Sequence, residues 1–412
     1  MACGWRTIVT GMTALSGVWN ADAQLDPARR ELIQVGYNQP LQGRSPISGY
    51  AFYYRNEPNF PRTNITLRLA LAPVYLDSEL GFSQALGANT DLGLGMAGGG
   101  FADTYSEIRH GKYLRAESFT GHGGEVSSSL YHLFNPSDRI PLYAVLRTAV
   151  HYSTYSADSK TDDAFVTPDD QTAFRLRAGL RWGGHEPLLL TELALELSVW
   201  YEGEFKPGAE RYGFSSSGGR LDRKIEDASH LFWSRAMLAY SLPEWKHTFA
   251  LSLTAGASVH ADRFNGYRLG GVLPLVSEFP LTLPGYYFQE ISARSFILLA
   301  GNYTVPVDAK GRWSVTASAA TAGVEYLDGL EQPGRWHSGV GAGVIYRSPT
   351  DSWQLALGYG YGVDAIRNNE RGAHSVGILL QFDLDRTRKR LFDPGENPNR
   401  SRALQQLFQI FK

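Results

Sequence analysis

Two residues have types and a spacing that could support hydrolysis, His151 and Ser153. Residues two apart on a β-strand share one face, so the imidazole could act as the base for the hydroxyl. The other face of this segment is apolar and consists of Leu142, Ala144, Leu146, Val150 and Tyr152. A lipid hydrolase needs its nucleophile on the face that lipid reaches, whereas this pair shares the polar face with Arg147. We therefore predict that the pair lines a polar interior and that the protein is not an enzyme.

Other chemical sites are not indicated by the sequence. The single cysteine is Cys3, so the rest of the chain offers no disulfide, thiol nucleophile or thiolate metal site. The His, Asp and Glu residues show no metal-ligand spacing. The glycine runs at 98–100 and 270–271 do not open helices and are not phosphate-binding loops. We predict no metal and no cofactor, and the net charge of −2 gives no basic excess for nucleic acid.

The N-terminus has the features of a secretory signal peptide. Arg6 precedes a short apolar stretch over residues 7–19, and Ala21-Asp22-Ala23 provides a small-x-small cleavage site. We predict that residues 1–23 are the signal peptide and are removed on export. Residues 24–45 are expected to form a short periplasmic segment that precedes the main fold.

Most of the remaining chain shows a strict two-residue alternation of apolar and polar residues. Between residues 173 and 182, apolar side chains alternate with Arg175, Arg177 and Arg181. Between residues 189 and 201, the polar face carries Glu192 and Glu196. Because this period sends the two sets to opposite faces, we predict that these five charged residues face a polar lumen.

Strands with this pattern predict a membrane-spanning barrel. The runs are about 10 to 14 residues long, and a tilted strand needs roughly 9–11 residues to cross a bilayer core. Closure is expected because an open sheet edge in hydrocarbon would leave backbone groups unpaired. We predict an all-β fold, a transmembrane antiparallel β-barrel of about 16 strands (roughly 14–16) over residues 46–384. A soluble β-sandwich is the alternative that strand length and the signal peptide disfavour.

The connections also alternate in length, which predicts the orientation. Short turns fall at 135–141, 183–187, 243–246, 306–312 and 348–351, and longer polar loops at 102–122, 156–170, 203–229 and 261–290. This asymmetry is typical of the bacterial outer membrane in Gram-negative cells, with long loops outside and both termini periplasmic. Aromatic residues at strand ends predict interfacial girdles, formed by Tyr152, Tyr155, Trp200, Tyr201, Trp313, Tyr346 and Trp353.

The last predicted strand and the tail carry separate signals. Ser375, Gly377, Leu380 and Phe382 resemble the terminal β-signal by which outer-membrane barrels are presented to the barrel assembly machinery. Expected partners are therefore that machinery, for the protein's own insertion, and outer-membrane lipids. Residues 385–412 are predicted to be a periplasmic C-terminal tail with a short amphipathic helix that starts at Ser401. This tail is either frayed or docked against the barrel mouth or the inner leaflet.

One stretch resembles the BamA/TamA-type barrels, the bacterial surface antigen family of outer-membrane assembly factors. The resemblance rests on Arg268, Gly270 and Gly271, then on Gly285 and Tyr286, and on the strand candidates that follow them. In that family a loop with an R-x-G-G and an R-G-Y motif folds into the lumen before the twelfth strand. The resemblance implies the same loop here over residues 261–290, followed by the family's last strands.

The sequence also departs from the family at several places. The loop arginine of the family falls on Pro284, and the acid that it meets falls near Thr321. Both halves of that ion pair are therefore expected to be missing. The segment before the predicted barrel is too short for a periplasmic POTRA domain, the module that receives client chains. These departures weaken the expectation that the protein inserts other barrels.

Three functions follow from these observations. The first is an assembly-factor-like barrel that handles outer-membrane proteins or lipids. The alternative is a small-solute channel selected by its lumen charges. A lipid-modifying enzyme is the least expected of the three.

The loop over residues 261–290 is predicted to fold into the lumen. It is rich in Leu, Val, Phe and Pro, which would leave a large apolar patch in water if the loop were exposed. Arg268 would then pair with a lumen carboxylate, for which Glu192 and Glu196 are the candidates. The alternative is an exposed loop whose apolar residues contact another protein or the outer leaflet.

Overall fold

A closed antiparallel barrel accounts for nearly all of the computed structural model, which describes residues 29–138, 140–183, 194–242, 247–273 and 281–386. In chain order the strands are β1 (Arg30–Pro40), β2 (Ser48–Pro58), β3 (Ile65–Ala72), β4 (Tyr75–Phe82), β5 (Thr90–Gly99), β6 (Ile108–Arg109), β7 (Lys112–Tyr113), β8 (Phe119–Leu133), β9 (Leu142–Ala157), β10 (Gln171–Gly183), β11 (Ala194–Phe205), β12 (Tyr212–Ser215), β13 (Leu221–Arg223), β14 (Ala228–Ser241), β15 (Thr248–Val259), β16 (Tyr267–Leu269), β17 (Ile291–Pro306), β18 (Trp313–Tyr326), β19 (Trp336–Arg347), β20 (Trp353–Arg367) and β21 (Glu370–Asp383).

Sixteen of these strands form the barrel wall, and β6, β7, β12, β13 and β16 belong to the connecting loops. Each wall strand pairs with the next one along the chain, and β21 pairs with β1 to close the ring. The predicted all-β barrel of about 16 strands is therefore confirmed. The part of the chain that the structure describes has no helix long and apolar enough to cross a membrane.

The N-terminal boundary of the barrel differs from the prediction. Residues 30–40, expected to lie in a periplasmic segment that ends at residue 45, form β1 and pair with both β2 and β21. The sequence gave little sign of this strand, since its inward residues include Gln34 and Asn38 among apolar neighbours. The barrel thus begins at Arg30, and its closure depends on this first strand. The predicted signal peptide, the tail helix and Glu192 lie outside the described residues.

The two faces of the wall follow the predicted alternation. On β20, Leu357 is 49% exposed and lies beside Val344 and Ile378 on the outer face. Its near neighbour Gln354 faces inward, level with Gln381 of β21, and Gln381 lies level with Gln34 of β1. The outer face is thus apolar and the inner face polar, as a barrel in a bilayer requires.

Long and short connections lie at opposite ends of the barrel. Residues 100–118, 158–170, 206–227 and 260–290 connect strands at one end, called here the long-loop end. The connections at 134–141, 307–312 and 348–352 lie at the other end, the short-turn end. The ambiguous region before Phe101 folds as β3, β4 and β5, of which β3 and β4 are the shortest wall strands.

Candidate functional site

The most distinctive feature of the interior is the connection between β15 and β17, residues 260–290, called here the lumen loop. Its first arm forms β16, which pairs with the start of β17. The hydroxyl of Tyr267 donates to the Phe232 carbonyl oxygen at 2.9 Å, which ties this arm to the wall. The two arms then meet, because the Leu283 amide donates to the Gly271 carbonyl at 3.0 Å. Residues 274–280 between the arms lie outside the described residues.

The returning arm lies against a part of the inner wall that has almost no side chains. This glycine wall consists of Gly339, Gly341, Gly343, Gly358, Gly360, Gly362 and Gly377, which are register partners on β19, β20 and β21. A Cβ atom on Gly360 would lie 3.0 Å from the Pro284 Cβ and 2.7 Å from the Gly285 nitrogen. The glycines therefore leave room for the backbone of the loop.

The predicted motif residues Gly285 and Tyr286 form the contact point. Gly285 has φ +86°, and a Cβ atom there would overlap the backbone of Gly362, so no other residue fits without displacement. Its amide donates to the Ser375 hydroxyl at 3.1 Å. The hydroxyl of Tyr286, which is buried, lies 3.1 Å from His337 Nδ1. Gly270 and Gly271 also have positive φ where the first arm bends.

A buried ion pair fixes the end of the lumen loop. The Arg367 guanidinium, at the end of β20, donates to both carboxylate oxygens of Glu290 at 2.8 and 2.6 Å. The side chains are 3% and 0% exposed, and the Arg367 group lies 3.6 Å from the centre of the Tyr287 ring. Bidentate pairing and stacking use both the edge and the face of the guanidinium.

This pair occupies a different place from the one that the family resemblance describes. At the family's positions, Pro284 packs on the glycine wall, and the Thr321 hydroxyl lies 3.1 Å from the Ser338 hydroxyl. In this protein the loop provides the carboxylate and the wall provides the arginine. No sequence motif indicated Glu290 or Arg367, which are 77 residues apart and meet only because the loop returns across the lumen.

The predicted pairing of Arg268 is wrong in part. Its guanidinium lies over the Tyr105 ring, 4.7 Å from the ring centre. Glu196 is instead engaged by Arg181, at 3.4 Å, and by the Ser198 hydroxyl, at 2.8 Å. Glu196 lies well along β11 toward the short-turn end, whereas Arg268 enters from the long-loop end, so the two cannot meet.

Arg175, Arg177, Arg181 and Glu196 belong to a second surface, called here the charged wall. It is formed by inward residues of β8 to β14, and its further members are Glu125, Arg147, Glu202, Glu204 and Arg235. Arg175 bridges Glu125 and Glu204 at 3.1 and 2.9 Å. Arg177 lies 3.3 Å from Glu202 and 4.3 Å from the Trp200 ring centre. Ion pairs between neighbouring strands thus cover this side of the lumen.

Trp200 itself corrects the predicted girdle. Expected at the membrane interface, it faces inward, is 5% exposed and stacks on Trp233 with ring centres 5.6 Å apart. Tyr155 also faces inward, where its hydroxyl accepts a hydrogen bond from Gln171 at 2.9 Å. Trp313, Tyr346 and Trp353 form an aromatic row at the short-turn end.

The remaining long loops pack together over the lumen and are called here the loop cap, residues 100–118, 158–170 and 206–227. The cap has an aromatic core formed by Tyr105, Phe119, Phe165, Tyr212 and Phe264. Burial raises the pKa of Tyr105 and Tyr212 above that of an ordinary phenol. The carboxylate of Glu107 is completely buried and lies within 3.6 Å of Arg223 and 3.4 Å of Arg263. Since Arg263 belongs to the lumen loop, the cap and the loop are joined.

His151 and Ser153 serve to hold the cap. Asp103 accepts hydrogen bonds from the Ser153 hydroxyl at 2.7 Å and lies 2.8 Å from His151 Nε2. The hydroxyl is therefore directed at a carboxylate and not at the imidazole, which is the wrong arrangement for activating a nucleophile. In the part of the chain that the structure describes, no group of three or more potential ligands is arranged around a metal position.

The seam between β1 and β21 contains the predicted terminal signal. Ser375 and Gly377 face inward, toward the lumen loop, whereas Leu380 and Phe382 face outward. The Asn38 side-chain amide donates to the Leu273 carbonyl oxygen at 3.4 Å, and Gln34 donates to Gln381 at 3.2 Å across the seam. The lumen loop therefore reaches from its origin at β15 and β17 to the closing strands of the barrel.

Comparisons with known proteins support the fold. No family model and no curated protein matches the sequence. Among solved structures, CdiB from Acinetobacter baumannii matches with a TM-score of 0.54 and 11% identity, over 86% of this chain and 60% of that one. BamA from Haemophilus ducreyi lacking POTRA domains 1-3 matches with a TM-score of 0.51 and 12% identity, over 85% and 70%. CdiB from Escherichia coli gives 0.52 and 12%, over 85% and 63%.

These matches show what is shared. The chain spans about 60% to 70% of the length of those structures. At this level of identity they establish the fold alone, a 16-strand barrel of the BamA and CdiB type. The family resemblance stated from the loop residues is confirmed as a resemblance of fold.

Proposed function

We propose that this protein is an assembly-factor-type barrel of the bacterial outer membrane, which handles other outer-membrane proteins or lipids and is closed by its own loop. The observation that carries the proposal is the lumen loop, which crosses the interior and is fixed to β20 by the Glu290–Arg367 pair. Outer-membrane lipids are its surroundings, and the barrel assembly machinery is the partner for its own insertion.

The placement of the loop favours a closed barrel over a solute channel. A channel needs a continuous polar path through the lumen. Here the loop places the buried side chains of Leu269, Leu283 and Tyr286 between the walls, and its backbone lies directly on the glycine wall. The loop cap adds an aromatic layer on the long-loop side. Both features obstruct passage of a solute.

Planar-bilayer conductance distinguishes the two functions. We expect the purified protein to be silent or to flicker, and a variant with residues 261–290 replaced by a short Gly-Ser linker to give a stable larger current. A matched control replaces residues 207–226 of the loop cap by the same linker, which leaves the lumen loop in place. A stable open current from the unmodified protein would instead identify a channel.

Handling of clients requires a second measurement. Liposomes that contain this protein should speed the folding of a small unfolded outer-membrane barrel, compared with liposomes that contain a porin at equal density. A cysteine pair at Gln34 and Gln381, which face each other across the seam, allows the seam to be closed by oxidation. Equal client folding rates with this protein and with the porin would contradict the proposed function.

A further inference from the structure

A cavity of about 580 Å³ lies inside the barrel, between the charged wall, the loop cap and the lumen loop. Its volume is within the range of sites that bind small organic ligands. We infer that this cavity binds a short acidic oligosaccharide of about two sugar units, through Arg268, Gln171 and Trp233. The inference does not depend on the proposed function, because it concerns a site within the lumen and not the handling of clients.

The charges around the cavity favour an anion. Three carboxylates line it, and each already has cationic or hydrogen-bonding partners. Asp103 is held by His151 and Ser153, Glu202 by Arg177, and Glu204 by Arg175 and Lys206. No carboxylate of the lining is therefore left to attract a cation. The five cationic side chains of the lining are Arg175, Arg177, Lys206, Arg263 and Arg268.

Arg268 differs from the other four cations. Among the described residues, each of the others lies within ion-pair distance of a carboxylate, and Arg268 does not. Its guanidinium is stacked on Tyr105, 4.7 Å from the ring centre. Stacking uses the flat face of the group and leaves the N–H donors at its edge, which suit a carboxylate. Arg268 is thus held in place with its charge directed at the cavity.

Two further groups suit a sugar. Gln171 donates its amide N–H to the Tyr155 hydroxyl at 2.9 Å, but its buried carbonyl oxygen accepts no hydrogen bond within the described residues. A ligand hydroxyl would satisfy that oxygen, which otherwise costs free energy as an unpaired buried acceptor. Trp233 stacks on Trp200 and donates its N–H to Glu202 at 3.1 Å. Its ring therefore has a fixed position at the cavity and can support the apolar face of a sugar.

Isothermal titration calorimetry of the full-length protein in detergent tests the inference with digalacturonate and, as its uncharged counterpart, maltose. We expect saturable binding of digalacturonate and at least about tenfold weaker binding of maltose, which corresponds to about 1.4 kcal/mol. Arg268→Gln should weaken digalacturonate binding by a similar factor. The matched control is Arg294→Gln, which removes an exposed arginine paired with Glu325 on the strand next to the loop.

Each outcome decides the inference once heat-modifiable migration on gels shows that both variants fold. Loss of affinity in Arg268→Gln, with affinity retained in Arg294→Gln, supports the site. A fall in affinity also in Gln171→Ala places the sugar at the predicted end of the cavity. Absence of saturable binding to the unmodified protein, equal affinity for maltose, or equal losses in the two arginine variants would each overturn it.

Discussion

The glycine wall and the charged wall fill the same lumen in two different ways. On β8 to β14 the inward positions carry long charged side chains, which pair with each other between strands. On β19 to β21 the inward positions carry hydrogen atoms, and the space is filled by the backbone of the lumen loop. The comparison teaches that the loop is part of the wall structure on one side only.

The same comparison separates two kinds of ion pair. Arg367 and Glu290 are almost completely buried between the loop and the glycine wall. Arg177 and Glu202 keep 28% and 38% of their side chains exposed on the charged wall. Since the cost of an orphaned charge depends on its burial, the two pairs should respond very differently to the same substitution.

The largest effect is expected at the buried pair. Glu290→Gln leaves the Arg367 charge buried without its partner, which costs about 3–5 kcal/mol. The measurement is the free energy of unfolding in urea, followed by gel migration of the folded barrel in liposomes. The control is the double variant Glu290→Gln/Arg367→Met, which removes both charges and should recover part of the loss. A double variant as unstable as the single one would show that the pair is not the source of the effect.

The second effect concerns the outer side of the glycine wall. Leu357→Arg introduces a charge on the lipid face of β20 and should cost about 2–4 kcal/mol near the bilayer midplane. Gln354→Arg, three residues away on the same strand but facing the lumen, should be nearly neutral. Both are measured by the same urea unfolding. Equal losses would mean that the two faces of β20 have been assigned incorrectly.

The third effect tests the fit of the loop on the glycine wall. Gly285→Ala places a methyl group against the backbone of Gly362 at a positive φ, and we expect a loss of about 3 kcal/mol. Gly311→Ala is the control, because Gly311 also has positive φ but lies in a short turn with open space around it. This control should lose only about 1 kcal/mol. Protease cleavage of the lumen loop should increase only in Gly285→Ala, and similar cleavage in both would argue against the docked loop.

The sequence predicts the charged wall better than the glycine wall, for a physical reason. Arg175, Arg177 and Arg181 alternate with apolar residues, so their face follows from strand geometry alone. The glycines of β20 also alternate, and their inward face is predictable for the same reason. What they contact is not predictable, because it depends on the path of a loop from another part of the chain.

The errors of the sequence interpretation have related causes. β1 was missed because its polar inward residues make a weak pattern, and its pairing with β21 joins the two ends of the barrel. Trp200 was assigned to the interface because aromatic residues at strand ends are usually there, yet its register with Gly179 and Trp233 turns it inward. The partner of Arg268 was sought among lumen carboxylates, whereas an aromatic ring of the loop cap is closer. Each error concerns a long-range contact.

The smallest effect is expected at the exposed pair of the charged wall, and it completes the comparison. Glu202→Gln removes the charge beside Arg177 but keeps an acceptor for the Trp233 N–H. Arg177 remains stacked on Trp200 and in contact with water in the lumen, so its charge is not left in an apolar environment. We expect a loss below about 1 kcal/mol in the same urea unfolding experiment. The matched comparison is Glu290→Gln, which has the same chemistry at a buried position. Similar losses in the two variants would mean that the lumen beside the charged wall is as dry as the loop interface, and the distinction between the two walls would then fail.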